Sequence, residues 1–592
     1  MSETLRRRSV LDMLASFARW AYRRNRLVVG VWLLALIGIG LLANVGVGAR
    51  FSGEFGIPAS ESATGFEILE ERFGISGGGL SGSIVVRADQ GVEDPSVQAA
   101  LTGFFDEVDR IDGVEVTSPF FDNGISQIDP TGTIAYATLD LDRSLGQFEG
   151  AAIAEEITEI MPTLPGVQIE LGGQALAGFE TPKAEFIGLA FAVVILIIAF
   201  GSVLAMGLPI AVALFGIGVG LSVVVLMSQV VGIPDFATTL GAMLGIAVGI
   251  DYALFIVTRY RDEMRKGRDG LDAAGIAFDT AGRAVIFAGL TVVVSLLGML
   301  LIGLEFVSGL GIAASTAVAV TMIASITLLP ALLGMAKSRI EITKWRGVIA
   351  AGLVSLALLG FGLSVQPLLI GAPLAVVVLL AGFAIAPLRR PLKARTPKPY
   401  RETLPYRWSR MVQSRPWTFL LLGVLVLTLM AIPVTSLRLG FSDEGNFSES
   451  TTTRRAYDLL AEGFGPGFNG PLLVTGTLSD PSEFAVAAAL SEVIGADPGI
   501  AAVTPAFPDD FSAPTAFLMR VIPDTAPQEV VTAETVERLR SEVIPSVIDG
   551  TGIETAVTGF VAVGIDFTSY LSERLFIFIG IVLLVSFVLL MM

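Results

Sequence analysis

The sequence predicts an α-helical polytopic membrane protein of about ten spans carrying two large extracytoplasmic α+β domains, and three observations lead there. Of 592 residues, 53% are hydrophobic and only 16% charged, with a mean hydropathy of +0.72; soluble domains are nearer a quarter charged. About ten apolar stretches approach the roughly 20 residues that a helical span requires. Two long polar blocks, Arg50 to Pro182 and Leu437 to Ser572, each hold about twenty acids against about five bases and read as two copies of one text.

The expected spans are Leu27 to Val47, Phe186 to Leu204, Leu208 to Val230, Phe236 to Val257, Ala284 to Ile302, Phe306 to Met335, Gly347 to Val365, Leu368 to Ala386, Pro416 to Thr435 and Leu575 to Met592. The first follows seven arginines between Arg6 and Arg26 and is too long for a signal-peptide core, so it reads as a retained anchor with the N-terminus inside. Alternation from there puts the basic clusters at Arg259 to Arg268, Lys337 to Arg346 and Arg389 to Arg415 on the cytoplasmic side and both acidic blocks outside. Leu11, Leu14, Phe17, Ala18 and Ala21 recur at helical spacing before the first span, the pattern of an amphipathic helix on the inner leaflet that anchors topology. The expected organisation is a cytoplasmic N-terminus (1–26), a first span (27–48), a first outer domain (49–183), a five-span bundle (184–336), a linker (337–346), an inserted hairpin (347–388), a basic linker (389–415), a seventh span of the basic plan (416–436), a second outer domain (437–573) and a final span (574–592). The location that follows is multi-pass in the plasma (inner) membrane.

The repeat has a spacing near 390 residues. "FEILEERFG", "GSIVVRA", "GVEVTSPF" and "VQIELGGQALAGFE" are matched in order by "YDLLAEGFG", "GPLLVTG", "IAAVTPAF" and "IETAVTGFVAVGID". Within each block the pattern is strand (Ser83 to Arg87; Pro471 to Thr475), helix (Ser96 to Arg110; Ser482 to Ile494), two strands, helix (Ala151 to Met161; Ala533 to Ile544), strand. That is the β-α-β-β-α-β order of a split ferredoxin-like domain. The pair of apolar stretches around "SVQPLLIGAP" adds an even number of crossings and reads as an insertion that decorates the helix packing. The second copy stops at Met592, where the first continues through four more spans, so the sequence is expected to be a fragment or a natural truncation.

Composition also excludes chemistries. Without cysteine there is no disulfide framework and no zinc-thiolate site, and no metal or cofactor is expected. Without histidine, proton chemistry must use carboxylates, hydroxyls or water. Gly74, Ser76 and Gly78 match G-x-S-x-G, but a Ser-His-Asp triad cannot be assembled, so they read as a Gly-rich loop. No P-loop is present, which argues against ATP hydrolysis, and the net charge of −17 argues against a nucleic-acid partner. The chain is not expected to be an enzyme.

One charged residue lies within the ten stretches, Asp251 in "LGAMLGIAVGIDYALFIVTRYRDEMRKG". It precedes Arg259 by eight residues, about 12 Å along a helix at roughly 1.5 Å per residue, too deep for a carboxylate to reach the headgroups. A charge held there costs about 2.5–3.5 kcal/mol, so such an acid can load and unload a proton. Gly241, Gly245 and Gly249 form a smooth stripe for close helix packing, with Tyr252 on the same face and Asp251 roughly 80–120° round, so the pair is expected to point into the bundle. Tyr252 can donate to the carboxylate or pass a proton. Thr291 and Ser295, one turn apart in the following span, are candidate relay hydroxyls, although such hydroxyls also bond their own backbone. The alternative role for Asp251 is a satisfied polar residue that pins helix packing.

"GIDYALFIVTRYRDE", "AGRAVIFAGLTVVVSLLGMLLIG" and "ITLLPALLGM" resemble the MMPL branch of the resistance-nodulation-division (RND) transporters, over nearly the whole chain except the hairpin. The resemblance implies two extracytoplasmic porter domains and proton-driven movement of lipids or other hydrophobic or amphiphilic compounds, with protons, lipid and the bilayer as partners. It also implies that Asp251 and Tyr252 match the family's fourth-span Asp-Tyr pair, which in the family faces a second such pair on the tenth span; that position would lie beyond Met592. The alternatives are a lipid-sensing or scaffolding protein of the same architecture, or an inactive fragment of the transporter.

Overall fold

In the computed structural model the described residues are 2–51, 60–74, 81–120, 127–141, 147–177, 184–342, 344–382, 385–391, 400–402, 404–440 and 442–591. Ser76 and Gly78 of the Gly-rich loop lie outside them. The chain opens with α1 (Ser2–Arg23), which turns directly into α2 (Asn25–Leu41). The first outer block follows as α3 (Glu61–Phe73), β1 (Ser81–Ala88), α4 (Pro95–Val108), β2 (Val114–Thr117), β3 (Ile134–Leu141), α5 (Gln147–Ile160) and β4 (Val167–Gly172). The helical bundle comprises α6 (Ala184–Phe200), α7 (Val203–Met227), α8 (Ala237–Arg265), α9 (Gly270–Ala277), α10 (Arg283–Leu297) and α11 (Glu305–Ala336). Next come α12 (Trp345–Gly362), α13 (Gly371–Ala381), the short α14 (Ala386–Arg389), α15 (Leu404–Ser414) and α16 (Pro416–Ala431). The second outer block holds α17 (Thr452–Phe464), β5 (Leu472–Thr477), α18 (Phe484–Gly495), β6 (Ile500–Val503), β7 (Phe507–Pro508), β8 (Ala516–Pro523), α19 (Val530–Arg538), α20 (Pro545–Ile548) and β9 (Glu554–Thr558), and α21 (Phe560–Met591) ends the chain.

Among the described residues eight helices are long and apolar enough to cross a membrane, and Ala184–Phe200 and Gln366–Ala381 are shorter apolar helices. Several helices extend past the expected bounds, α21 most of all, since it begins at Phe560 rather than Leu575, and two shifts have a local cause. The second stretch does not run to Leu204, because Gly201 adopts a left-handed φ of 62° and the Ser202 side chain caps the next helix at Ala205 N, so Leu204 belongs to α7. The second arm of the hairpin starts as a 3₁₀ turn at Gln366–Ile370, leaving only 11 α-helical residues in α13. The hairpin packs on α6, where Ser355 Oγ donates to Ala190 O at 2.9 Å.

Each outer sheet is antiparallel, in the order β2-β3-β1-β4 for the first and β6-β8-β5-β9 for the second, with β7 pairing β8. Alternating burial follows from the period-2 pattern, as in β8, where Phe517, Met519 and Val521 are fully buried. The leading helices are exchanged between the two sheets. On α17, Ala456, Leu459 and Leu460 pack against Val85, Ile134 and Tyr136 of the first sheet. α3 in turn lies on the second sheet, where a Cβ added at Gly65 would come within 2.7 Å of Thr558 Cβ.

Charged side chains clamp both exchanges. Arg540 donates to Asp566 and to Val557 O, while Ser62 N and Oγ of α3 donate to the same Asp566 carboxylate. Arg455 of α17 meets Glu170 of β4 in a two-point pair at 2.6 and 2.9 Å, with Thr452 Oγ1 donating at 2.6 Å. Burial pushes the Glu170 carboxyl up, but hydrogen bonds from Arg455, Thr452 and Gln168 and the Arg455 charge outweigh it and hold it below the ordinary 4.5.

In the bundle, α7, α8 and α11 meet at backbone distance. A Cβ added at Gly249 would stand 2.6 Å from Thr321 Cγ2 and 2.9 Å from Ala213 Cα, one at Gly245 would stand 2.9 Å from Ile217 Cγ1, and one at Gly241 would stand 3.3 Å from Ala317 Cβ. The small residues let the helices approach closely enough for dispersion to hold them where no hydrophobic force acts between lipid-facing helices. At one end of the bundle Arg261 pairs with Glu341 and donates to Phe200 O, and Glu263 is ringed by Arg259, Lys266 and Arg268. α1 docks there too, with Ala18 and Ala21 fully buried and Leu14 packed on the same core, so its apolar face meets protein as well as any leaflet.

Two outcomes follow. Because the folded Glu170 carboxyl titrates below its unfolded value, the Arg455 contact contributes fully above about pH 4.5 and is lost as pH falls through the folded value. Arg455→Ala should therefore lower outer-domain stability by about 1–3 kcal/mol at neutral pH, with mutant and wild type converging in acid; denaturation curves that coincide at pH 7 would contradict the clamp. Gly249→Val should cost about 1–3 kcal/mol or more of overpacking and reduce monodisperse protein on size exclusion, whereas Ala247→Val on the open face of α8 should not.

Candidate proton-coupling site

α8 is the helix on which the candidate residues sit. Its glycine face is occupied by α7 and α11, and Tyr252 continues that inward side, only 8% exposed, with its ring edge against Gly289 of α10. Asp251 is one residue further round and does not share that direction. It lies on the uncovered face of α8 with Met243, Ala247 and Phe255, each four residues from the next. The expectation that both side chains point into the bundle is thus corrected for Asp251. The reason is geometric: a step of roughly 100° from a face already filled on two sides carries the carboxylate out of the α7–α11 groove.

Among the described residues no hydrogen bond joins Tyr252 to Asp251, and no cation pairs with Asp251. The two hydroxyls differ. Thr291 Oγ1 donates to Phe287 O at 2.8 Å, the local backbone bond that competes with a relay, and keeps its lone pairs free to accept. Ser295 Oγ lies 3.1 Å from Ser586 Oγ on α21, a contact that sequence reasoning missed. The signal for it was weak: Ser586 is one polar residue in an otherwise apolar stretch, and its partner is set by helix rotation.

α21 is fastened to α10 at a second level. Arg574 lies over the Tyr570 ring at 3.7 Å and donates to Ile302 O at 2.8 Å, satisfying a carbonyl at the end of the α10 segment. Between the two levels Phe578 and Val582 pack against Gly298. α21 follows β9 of the second sheet after one residue and runs to Met591, so the segment holding Thr291 and Ser295 is tied to a helix that begins beside that sheet. No group of three or more Asp and Glu residues arranged to hold a metal ion occurs among the described residues.

The model of the MMPL family matches residues 54–419. Membrane protein YdfJ of Bacillus subtilis is 30% identical over 98% of this chain and 72% of its own length. The mycolic acid-containing lipids exporter MmpL11 of Mycolicibacterium smegmatis is 26% identical over 97% of this chain and 56% of its own length. The trehalose monomycolate exporter MmpL3 of Mycobacterium tuberculosis is 32% identical over 25% of this chain and 16% of its own length. The chain thus spans about three quarters of one of these relatives and about half of another. With the family model covering most of the bundle and the first outer block, this polytopic helical membrane protein belongs to the MMPL family.

Proposed function

We propose that the protein is a proton-motive-force-driven transporter that moves lipids or other amphiphilic compounds across the plasma membrane, with its N-terminus cytoplasmic and two ferredoxin-like porter domains outside. The family and the lipid exporters among the relatives support the substrate class. The single observation that carries the coupling is Asp251, an acid within a helix long and apolar enough to cross a membrane, with no cationic partner among the described residues. Its exposure on the face that α7 and α11 leave open gives a proton a way in without breaking the glycine packing behind it.

A proton crossing the membrane field is worth about 2.3 kcal/mol per 100 mV. When Asp251 is charged, its face of α8 favours water or a polar partner; when neutral, it favours apolar packing. That difference supplies a bias between two arrangements of neighbouring helices. Tyr252 holds the register of α8 against α10, and Thr291 and Ser295 on α10 pass or accept the proton. The α10–α21 contacts at Ser586 and Arg574 then carry the displacement toward the second porter domain, whose exchanged helices oblige the first to follow.

Asp251→Asn should lower protonophore-sensitive lipid transport in reconstituted vesicles by roughly 10²-fold or more while leaving expression and size-exclusion behaviour intact. Thr291→Val and Ser295→Ala should give partial losses. Transport at wild-type rate by the Asp251→Asn protein would end the proposal.

A further inference from the structure

Two helices with no part in that mechanism occupy the same place in the two halves of the repeat. α1 leads into the span beginning at Asn25, and α15 leads into the span beginning at Pro416, so each stands at the head of a helix long and apolar enough to cross a membrane. Trp408 stands 391 residues after Phe17 (408 − 17), and the same offset matches Met13, Trp20 and Arg24 with Leu404, Met411 and Arg415. At 3.6 residues per turn these positions share one face.

In α1 a different face does the docking. Ala15, Ala18 and Ala21 are buried against the bundle, while Met13 and Trp20 remain 68% and 46% exposed beside exposed Arg23 and Arg24. The two ends of the stripe, Met13 and Trp20, therefore stay uncovered when the helix is docked, while Phe17 between them is half-buried against the cluster of Ala21, Val28 and Ala331. α15 repeats that stripe with Leu404 81%, Trp408 59% and Met411 44% exposed, flanked by exposed Arg407, Arg410 and Arg415. Where α1 has its docking alanines, α15 has Tyr406, Ser409 and Val412. The segment Arg389 to Arg415 carries nine bases against the single acid Glu402.

We propose that α15, with α1 as its counterpart, lies in the headgroup layer of the inner leaflet and binds anionic phospholipid. Leu404, Trp408 and Met411 enter the acyl boundary, and Arg407, Arg410 and Arg415 pair with headgroup phosphates. An apolar stripe bordered by cations, continuous with a membrane span, matches an anionic leaflet in both geometry and charge. The inference does not depend on what the protein transports.

The test uses the whole chain in nanodiscs containing either brominated phosphatidylglycerol or brominated phosphatidylcholine. The fluorescence quenching lost in Trp408→Phe isolates the signal of Trp408. That signal should be quenched about threefold more by the anionic lipid, and the preference should vanish in the triple variant Arg407→Gln, Arg410→Gln, Arg415→Gln and weaken at high salt. Equal quenching by the two lipids would overturn the proposal, as would a preference that survives loss of the three arginines. Absence of quenching by either lipid would show a face covered by protein and overturn it as well.

Discussion

The contact of α8 with α7 and α11 at backbone distance fixes everything around the candidate site. Gly241, Gly245 and Gly249 remove the side chains that would hold these helices apart, and Thr321 fills the remaining space, fully buried opposite two of the three glycines. With that face committed, the rotation of α8 is no longer free. Tyr252 must go inward to Gly289 and Asp251 must go outward, since a helix cannot turn one without the other. A packed three-helix unit thus holds Asp251 on its remaining open side.

The two α/β blocks are bound to each other more firmly than two adjacent domains need be. Each sheet is covered by a helix that arrives from the other half of the repeat, and each exchange is pinned by an arginine–carboxylate pair, Arg455 with Glu170 and Arg540 with Asp566. Separating the blocks would expose apolar surface such as Val85 and Ile134 as well as buried charge, so relative movement favours rotation with both helices in place over opening. α21 links this pair to α10 without a break in its helix, with 32 residues spanning roughly 48 Å.

Much of this was legible in the sequence because it follows from periodicity. Apolar runs located the spans, and the matched segments "FEILEERFG" and "YDLLAEGFG" marked equivalent helices in the two blocks. The expected order of strands and helices matches the elements from β1 to β4 in the first block, whereas the second block inserts the short β7 between β6 and β8. The exchange of α3 and α17 was not legible: an amphipathic helix declares that one face is covered but not which sheet covers it. The direction of Asp251 failed for a related reason. The glycine stripe showed where close packing occurs, but not that α7 and α11 together would leave the adjacent face open. α6 ends before the apolar run does because Gly201 is a left-handed turn residue and Ser202 caps the next helix. Ser295 was found as a hydroxyl at helical spacing, but its partner on α21, nearly three hundred residues away, depends on tertiary rotation alone.

Whether Asp251 takes up and releases a proton decides between a coupling residue and a packing residue. The most direct measurement treats the reconstituted protein with a hydrophobic carbodiimide, which reacts with protonated carboxyls within the membrane, and maps the adducts by mass spectrometry across a pH series. A proton-coupling role predicts an adduct on Asp251 that declines as pH rises. An absence of adduct at every pH, or labelling of Asp251 that does not change with pH, would contradict it.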